Sequence, residues 1–325
     1  MKVLLTGAFG NVGLSTLTEL INLNYHVKAF DLKTRKNQKI ANKYKNNIDV
    51  FWGDLRNSNE ILRVVKDIDV IIHLAAIIPP FSEHNPKLAY EVNVEGTKNL
   101  IKAANSLENK PKFIFTSSIS VFGPQMNNPP PRKSEDPVIS TDNYTEHKIK
   151  CEELVRNSEL PWTIVRLAAV MPLNFDMKLA SMLFEIPLDQ RIEIISVQDV
   201  GLALANAVKA NTLGKVLLIG GGEDCRLYQR EFIERIFDSI GIRMIPETSF
   251  RIPKKSSEWF YTDWLDTEES QKLLNYQRTT FNDYLISLKK IFGFKRHLIR
   301  SLRTIIKYYL IKTSPYYESQ KSIYV

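Results

Sequence analysis

Met1-Lys2-Val3-Leu4-Leu5-Thr6-Gly7-Ala8-Phe9-Gly10-Asn11-Val12-Gly13 opens the chain as a short apolar run that stops at a glycine, with two further glycines at three-residue intervals. The run reads as a buried strand, and from Leu14 the apolar residues take up helical spacing. Each glycine between them answers a steric demand. Gly7 allows a sharp turn off the strand, Gly10 lets the backbone approach a pyrophosphate, and Gly13 lets the helix pack tightly on the sheet. A helix beginning near Asn11 points its unpaired N–H groups and positive dipole end at phosphates. A second run, His26-Val27-Lys28-Ala29-Phe30, ends at Asp31. That lies within the ~20-residue interval at which an acidic side chain accepts hydrogen bonds from a ribose diol. The pattern predicts a nicotinamide dinucleotide, with NAD ahead of NADP because Asp31 repels a 2′-phosphate. Lys33, Arg35 and Lys36, just beyond it, soften that repulsion.

Further runs rich in β-branched residues at 48–52, 69–74, 112–116 and 162–166 alternate with segments of helical spacing. The alternation predicts an α/β fold, a doubly wound parallel sheet of Rossmann type whose ligand site lies beyond the carboxyl ends of its strands. Between them, 86–107 carries Leu88, Val92, Thr97, Leu100, Ile101 and Ala104 near one face, which predicts one long helix packed on the sheet. At 325 residues the chain exceeds one ordinary domain. Residues 1–166, rejoined by 196–220, are expected to form the NAD-binding domain, with 167–195 and 221–290 as a small C-terminal substrate-binding region and 291–325 as a basic amphipathic tail. The loops 77–81 and 125–143 are expected to wall the pocket.

Hydrophobic and charged fractions of 44% and 25% match a soluble globular protein. Cys151 and Cys225 fall outside metal-ligand or redox spacing, which predicts buried free thiols in a reducing cytosol and no metal site. With the cradle under way at Thr6 no signal peptide is expected, and no run of ~18 apolar residues occurs to span a membrane. A cytoplasmic protein is expected.

The formal net charge of +8 is concentrated at one end. Lys289, Lys290, Lys295, Arg296, Arg300, Arg303, Lys307, Lys312 and Lys321 face the single acid Glu318 beyond residue 285, leaving the rest of the chain neutral. High charge of this kind is no signal for nucleic acid. Apolar positions 298, 299, 302, 305, 306, 309 and 310 with Arg300, Arg303 and Lys307 between them describe a basic amphipathic helix within 291–312. Two expectations stand for it: peripheral contact with an anionic membrane surface, or packing on the body or on a partner subunit in a homodimer.

In order along the chain come Thr6-Gly7-Ala8-Phe9-Gly10-Asn11-Val12-Gly13, Asp31, Gly53-Asp54-Leu55, His73-Leu74-Ala75-Ala76, Asn93-Val94-Glu95-Gly96-Thr97, Ser117-Ser118, Tyr144 with Lys148, and Asp199-Val200. In that order the chain resembles the extended short-chain dehydrogenase/reductase superfamily, specifically its NAD-dependent epimerase/dehydratase family, from residue 1 to about residue 290. The resemblance implies a catalytic set of Ser118, Tyr144 and Lys148. It also implies cofactor contacts from Gly7, Phe9, Gly10, Asn11, Val12, Gly13, Asp31, Asp54, Leu55, Leu74, Ala75, Ala76 and Asn93 as well as from Tyr144 and Lys148. Within that set Asp54 meets the adenine edge, and the small Ala75 and Ala76 admit the nicotinamide ribose.

A Tyr four residues before a Lys recurs at 308/312 and 317/321, but only Tyr144/Lys148 follows a strand ending in a hydroxyl pair. Residues four apart share a helix face, so the Lys148 ammonium is expected beside the Tyr144 phenol. Bringing a phenol from pKa ~10 to about 7 takes roughly 4 kcal/mol of preferential phenolate stabilisation, for which a desolvated cation is a source. Tyr144 then accepts a hydroxyl proton as hydride leaves the same carbon, and Ser118 orients the substrate oxygen. His73 reads as a satisfied buried histidine.

The family pattern fails at two points. Sugar-nucleotide 4,6-dehydratases place an acidic pair directly after the catalytic hydroxyl residue, where this chain has Ile119 and Ser120. Nucleotide-sugar enzymes usually carry an Asn three residues after the Arg ending the sixth strand, where this chain has Ala169, and the stretch from Arg166 to Asp199 is short. Dehydration is therefore discounted. A UDP-sugar epimerase and an oxidoreductase for a smaller hydroxyl or ketone both remain open, beside a non-catalytic dinucleotide-sensing regulator.

Overall fold

The computed structural model describes residues 1–171 and 180–317. The expected runs form β1 (Lys2–Thr6), β2 (His26–Asp31), β3 (Ile48–Trp52), β4 (Val70–His73), β5 (Lys112–Ser118) and β6 (Trp162–Leu167). They are followed by β7 (Ala169–Met171), β8 (Arg191–Ser196), β9 (Lys215–Ile219) and β10 (Arg226–Tyr228). Seven of them make a wholly parallel sheet in the order β3-β2-β1-β4-β5-β6-β9. Strand order reverses between β1 and β4, which opens a crevice at their carboxyl ends.

Strand alternation sends neighbouring residues to opposite helical layers. Val3, Leu5, Ile72 and Ile114 pack with the helices Asn11–Asn22 and Val197–Ala207, whereas Leu4, Ile71, Phe113 and Phe115 pack with Ser58–Val64, Gly96–Asn105 and Asn143–Arg156. The helix expected over 86–107 runs from Pro86 to Asn105, but its middle, Glu91–Glu95, is a π turn. There the Asn93 carbonyl accepts from Thr97 Oγ1 at 2.5 Å and from the Cys151 thiol at 3.1 Å, so side chains stand in for the regular ladder. Both cysteines are free and buried.

A second sheet, β10-β8-β7, underlies a separate core that includes Phe184, Ile192, Phe237, Phe250, Phe281 and Leu288. Glu193 on β8 is fully buried there. It accepts from Leu265 N at 2.8 Å, Gly222 N at 3.1 Å and Arg226 Nε at 3.2 Å. Burial nevertheless raises its carboxyl to about 7. A carboxyl that holds its proton more tightly when folded contributes stability fully present below its unfolded value near 4.5 and lost as pH rises through about 7. Denaturant titrations across that window should show the wild type losing stability relative to Glu193→Gln, which cannot ionise. Parallel curves would remove this origin of the pH dependence.

The expected single helix at 291–312 is divided. Phe281–Phe292 ends at Gly293, Lys295–Ser301 follows, and Leu302 (φ −93°, ψ 5°) separates it from Arg303–Lys312. Ile299, Ile306 and Leu310 pack on the second core, whereas Leu298, Leu302, Ile305 and Tyr309 are exposed. The apolar positions read as one stripe are thus two rows. Glu318 and Lys321, and residues 172–179 of the expected substrate region, lie outside the described residues. Among the described residues no helix is long and apolar enough to cross a membrane, and no cluster of His, Cys, Asp and Glu could hold a metal.

Candidate active site

The glycine turn is built tightly enough to exclude side chains. Gly7 sits at φ +68°, and a Cβ there would meet Ala75 N at 2.8 Å. A Cβ on Gly13 would lie 2.1 Å from the Gly7 carbonyl oxygen. Gly10 caps the Asn11–Asn22 helix without a side-chain partner, and no acid occupies the first turn formed by Asn11, Val12 and Gly13. Those first N–H groups suit an anion. A cleft of about 530 Å³ opens beside the turn, lined by Gly7, Phe9, Gly10, Asp31, Asp54, Leu55, Leu74, Ala75 and Ala76, with Ile77 and Phe81 from the expected pocket wall. Turn, helix end and cleft together fit a dinucleotide.

Asp31 is held in place by Phe9 N at 2.9 Å, Leu32 N at 2.8 Å and Asn37 Nδ2 at 3.1 Å. Burial raises its pKa while the two backbone donors oppose the rise. Asp54 lines the cleft, but its carboxylate is paired with Arg56 at 2.6 Å, which holds its pKa below the usual carboxylate value. Asn93 is buried behind the cleft wall. Its amide accepts from Ile77 N at 2.7 Å and donates to Ile77 O at 2.8 Å, pinning the loop after β4. His73 has both ring nitrogens engaged, by Thr6 Oγ1 at 2.7 Å and Thr97 Oγ1 at 2.9 Å. Burial, with the Lys148 charge adding, lowers it to about 3.

Ser118 ends β5, and Tyr144 and Lys148 stand one turn apart on the Asn143–Arg156 helix, which Asp142 and Thr145 start with a capping box. The Ser118 oxygen accepts from Ser120 N at 3.2 Å and Ser120 Oγ at 2.9 Å. With both acceptor positions filled, its own proton is free to be donated, and a hydrogen bond from Ser118 favours the Tyr144 phenolate. Burial outweighs that bond, so the phenol sits above its ordinary pKa and not below it as the Tyr-Lys spacing predicts. The Lys148 ammonium lies 5.7 Å from the Tyr144 ring centre and is anchored by Thr116 O at 2.7 Å. Its own burial lowers it to about 8. A neighbour four residues away is visible in sequence, whereas the desolvation that wins here is not.

Two further groups belong to this corner. Glu83, on a short turn of helix after β4, accepts from Tyr144 N at 3.2 Å and from Asn143 N and Nδ2 at 3.2 and 2.8 Å. These donors, with Ser82, hold its pKa down against burial. Tyr261, whose phenol burial pushes to about 12, lies close enough to Tyr144 that the two phenols oppose each other's ionisation. Neither belongs to a local motif; the only hint was the aromatic cluster Trp259-Phe260-Tyr261.

A parallel sheet in this order with a glycine turn at its crevice defines a doubly wound Rossmann-type fold, in which Ser118 ends β5 and Tyr144 and Lys148 follow on the next helix. Residues 4–161 match the model of the 3-beta hydroxysteroid dehydrogenase/isomerase family. The match spans just under half of the 325 residues. It is 28% identical over 188 residues to UDP-glucose 4-epimerase of Pisum sativum, covering 53% of each chain. It is 32% identical over 163 residues to 3-beta-hydroxysteroid dehydrogenase of Mycolicibacterium neoaurum, covering 47% of this chain and 42% of that one. The chain spans about half the length of these curated relatives. The solved UDP-glucose 4-epimerase of Thermotoga maritima superposes with a TM-score of 0.74 over 92% of this chain and all of that one, at 19% identity, a likeness of fold.

Proposed function

We propose that this chain is an NAD-dependent enzyme that transfers hydride at a secondary alcohol or ketone carbon, with Ser118, Tyr144 and Lys148 as its catalytic set. The observation that carries the reading is the Ser118 hydroxyl, whose lone pairs are filled by Ser120 and whose proton is left for Tyr144 or a substrate oxygen. Bound NAD supplies the hydride acceptor or donor. Ser118 and Tyr144 would both donate to a carbonyl oxygen. A phenol above its ordinary pKa is a protonated donor at neutral pH, so the resting site is set for reduction. Lys148, lowered to about 8, can replace the proton Tyr144 gives up. Asp31, with its carboxylate held at the cleft, would take the adenosine ribose diol and favour NAD.

A UDP-sugar 4-epimerase is the first substrate reading, supported by the relative from Pisum sativum; Ala169 in place of the family's Asn favours a smaller hydroxyl or ketone as the second. The test is incubation of the protein and its bound NAD with UDP-glucose, with substrate and cofactor followed together. Conversion without net NAD consumption marks epimerisation, stoichiometric consumption of cofactor with a smaller alcohol marks a dehydrogenase, and retention of NAD without turnover of either marks the sensing regulator and overturns the proposal. Asp31→Ser should raise the NADP-to-NAD ratio of kcat/KM at least about tenfold, because a charge repelling the 2′-phosphate is removed while Lys36 still lines the cleft. An unchanged ratio would place the ribose elsewhere. Independently of the catalytic reading, the exposed apolar and basic residues of the C-terminal helices are taken to hold the protein peripherally at an anionic membrane surface.

A further inference from the structure

From Ile291 to Leu310 the chain buries some of its apolar residues and leaves others bare. Ile291, Phe294, Leu298, Leu302, Ile305 and Tyr309 follow one another at intervals of three or four residues and are exposed, Phe294 to 86%, Tyr309 to 63% and Leu298 to 59%. From the same segment Arg296, His297, Arg300 and Arg303, with Arg243, line a cleft of about 290 Å³ in which Asp238 is the one acid. Three features make this a built concavity. Arg243 is held at φ +66°, a conformation that costs a non-glycine residue free energy. Gly241, at φ +93°, lets the chain pass where a Cβ would meet Arg296 O at 2.9 Å. Arg296 Nε is buried with no hydrogen-bond partner. None of the four guanidiniums is ion-paired with another described residue. Between residues 284 and 317 there are eight Lys and Arg and no Asp or Glu.

We propose that this arginine cleft takes the phosphate headgroups of anionic lipids while the exposed row enters the bilayer surface, an inference that rests on the peripheral reading above and not on the catalytic one. Guanidinium matches phosphate in geometry and charge, and aliphatic and aromatic side chains beside basic ones are what an interfacial helix presents to lipid. A second copy of the chain is a poorer occupant, because a two-fold contact would bring the same cluster of like charges together. Nucleic acid would satisfy the arginines but leave Phe294 and Leu298 in water.

The test is co-sedimentation of the full chain with phosphatidylcholine vesicles containing or lacking phosphatidylglycerol. Arg243→Gln/Arg300→Gln and Leu298→Ser/Ile305→Ser change exposed side chains, and a thermal melt checks their folding. The wild type should bind only the vesicles containing phosphatidylglycerol and be released by salt. The arginine variant should bind them about tenfold or more weakly, at ~1 kcal/mol for each basic residue near the lipid. The serine variant should also weaken, with its affinity for inorganic phosphate unchanged. Vesicle binding lost in the serine variant but intact in the arginine variant would overturn the headgroup cleft while leaving the peripheral reading standing. No binding by the wild type would sink both. Binding of inorganic phosphate or an RNA oligonucleotide by a wild type that fails to bind the vesicles, or a dimer in solution abolished by the serine changes, would overturn the lipid assignment.

Discussion

Replacing Tyr144 by Phe should lower turnover by about 10²–10⁴-fold, the span of a positioned proton donor, while leaving the NAD dissociation constant within a factor of a few. The phenyl ring keeps the half-buried volume and the helix backbone keeps its bonds to Glu83, so only the hydroxyl is removed. Single-turnover measurement of hydride transfer separates this loss from binding and product release. Reduction by the wild type should fall as pH rises through about 8, where Lys148 gives up its charge and can no longer resupply the phenol. A variant that loses NAD instead of turnover would show Tyr144 to be a cofactor contact and no more.

The largest effect on stability is expected beneath the site, where Arg166 at the end of β6 meets Glu152. Its Nε and Nη2 donate to the two carboxylate oxygens at 2.9 and 2.8 Å, and both side chains are buried. Burial opposes the carboxylate, yet Arg166 holds its pKa below the usual value. Arg166 also donates to Ser134 O at 2.9 Å and lies 4.9 Å from the Phe122 ring centre, so it fastens the 125–143 loop. Glu152→Ala leaves a buried guanidinium without its partner and should cost about 3–5 kcal/mol, a large part of a typical 5–15 kcal/mol stability. Combining Glu152→Leu with Arg166→Met should recover most of it, because an apolar pair carries no desolvation penalty. Urea unfolding of the three chains measures both. A single variant within about 1 kcal/mol of wild type would mean that water reaches the pair.

Features set by neighbouring residues were legible in the sequence, and features set by distant contacts were not. The first six strands of the large sheet stand out as β-branched runs, and the glycine turn, Asp31, Ser118, Tyr144 and Lys148 belong to short motifs. The seventh strand carries a run too, Val216-Leu217-Leu218-Ile219, inside the segment 196–220 expected to return to the sheet. β7 and β10 are three residues each, too short to display a period. The π turn at Glu91–Glu95 depends on Thr97 and on a thiol 58 residues away, and Glu83 meets Tyr144 across 61 residues. Spacing likewise describes one stripe on the C-terminal helices, because it marks apolar positions without saying which of them find a core.

The Glu83 carboxylate gears two parts of the molecule together. On one side its short helical turn begins at Phe81, which walls the cleft with Ile77; on the other it grips the backbone of Asn143 and Tyr144. A displacement of Phe81 is therefore expected to be felt at the first turn of the helix that carries Tyr144, and the aim of its phenol to report whether the cleft is filled. Glu83→Gln would slacken that lever without touching a reacting atom.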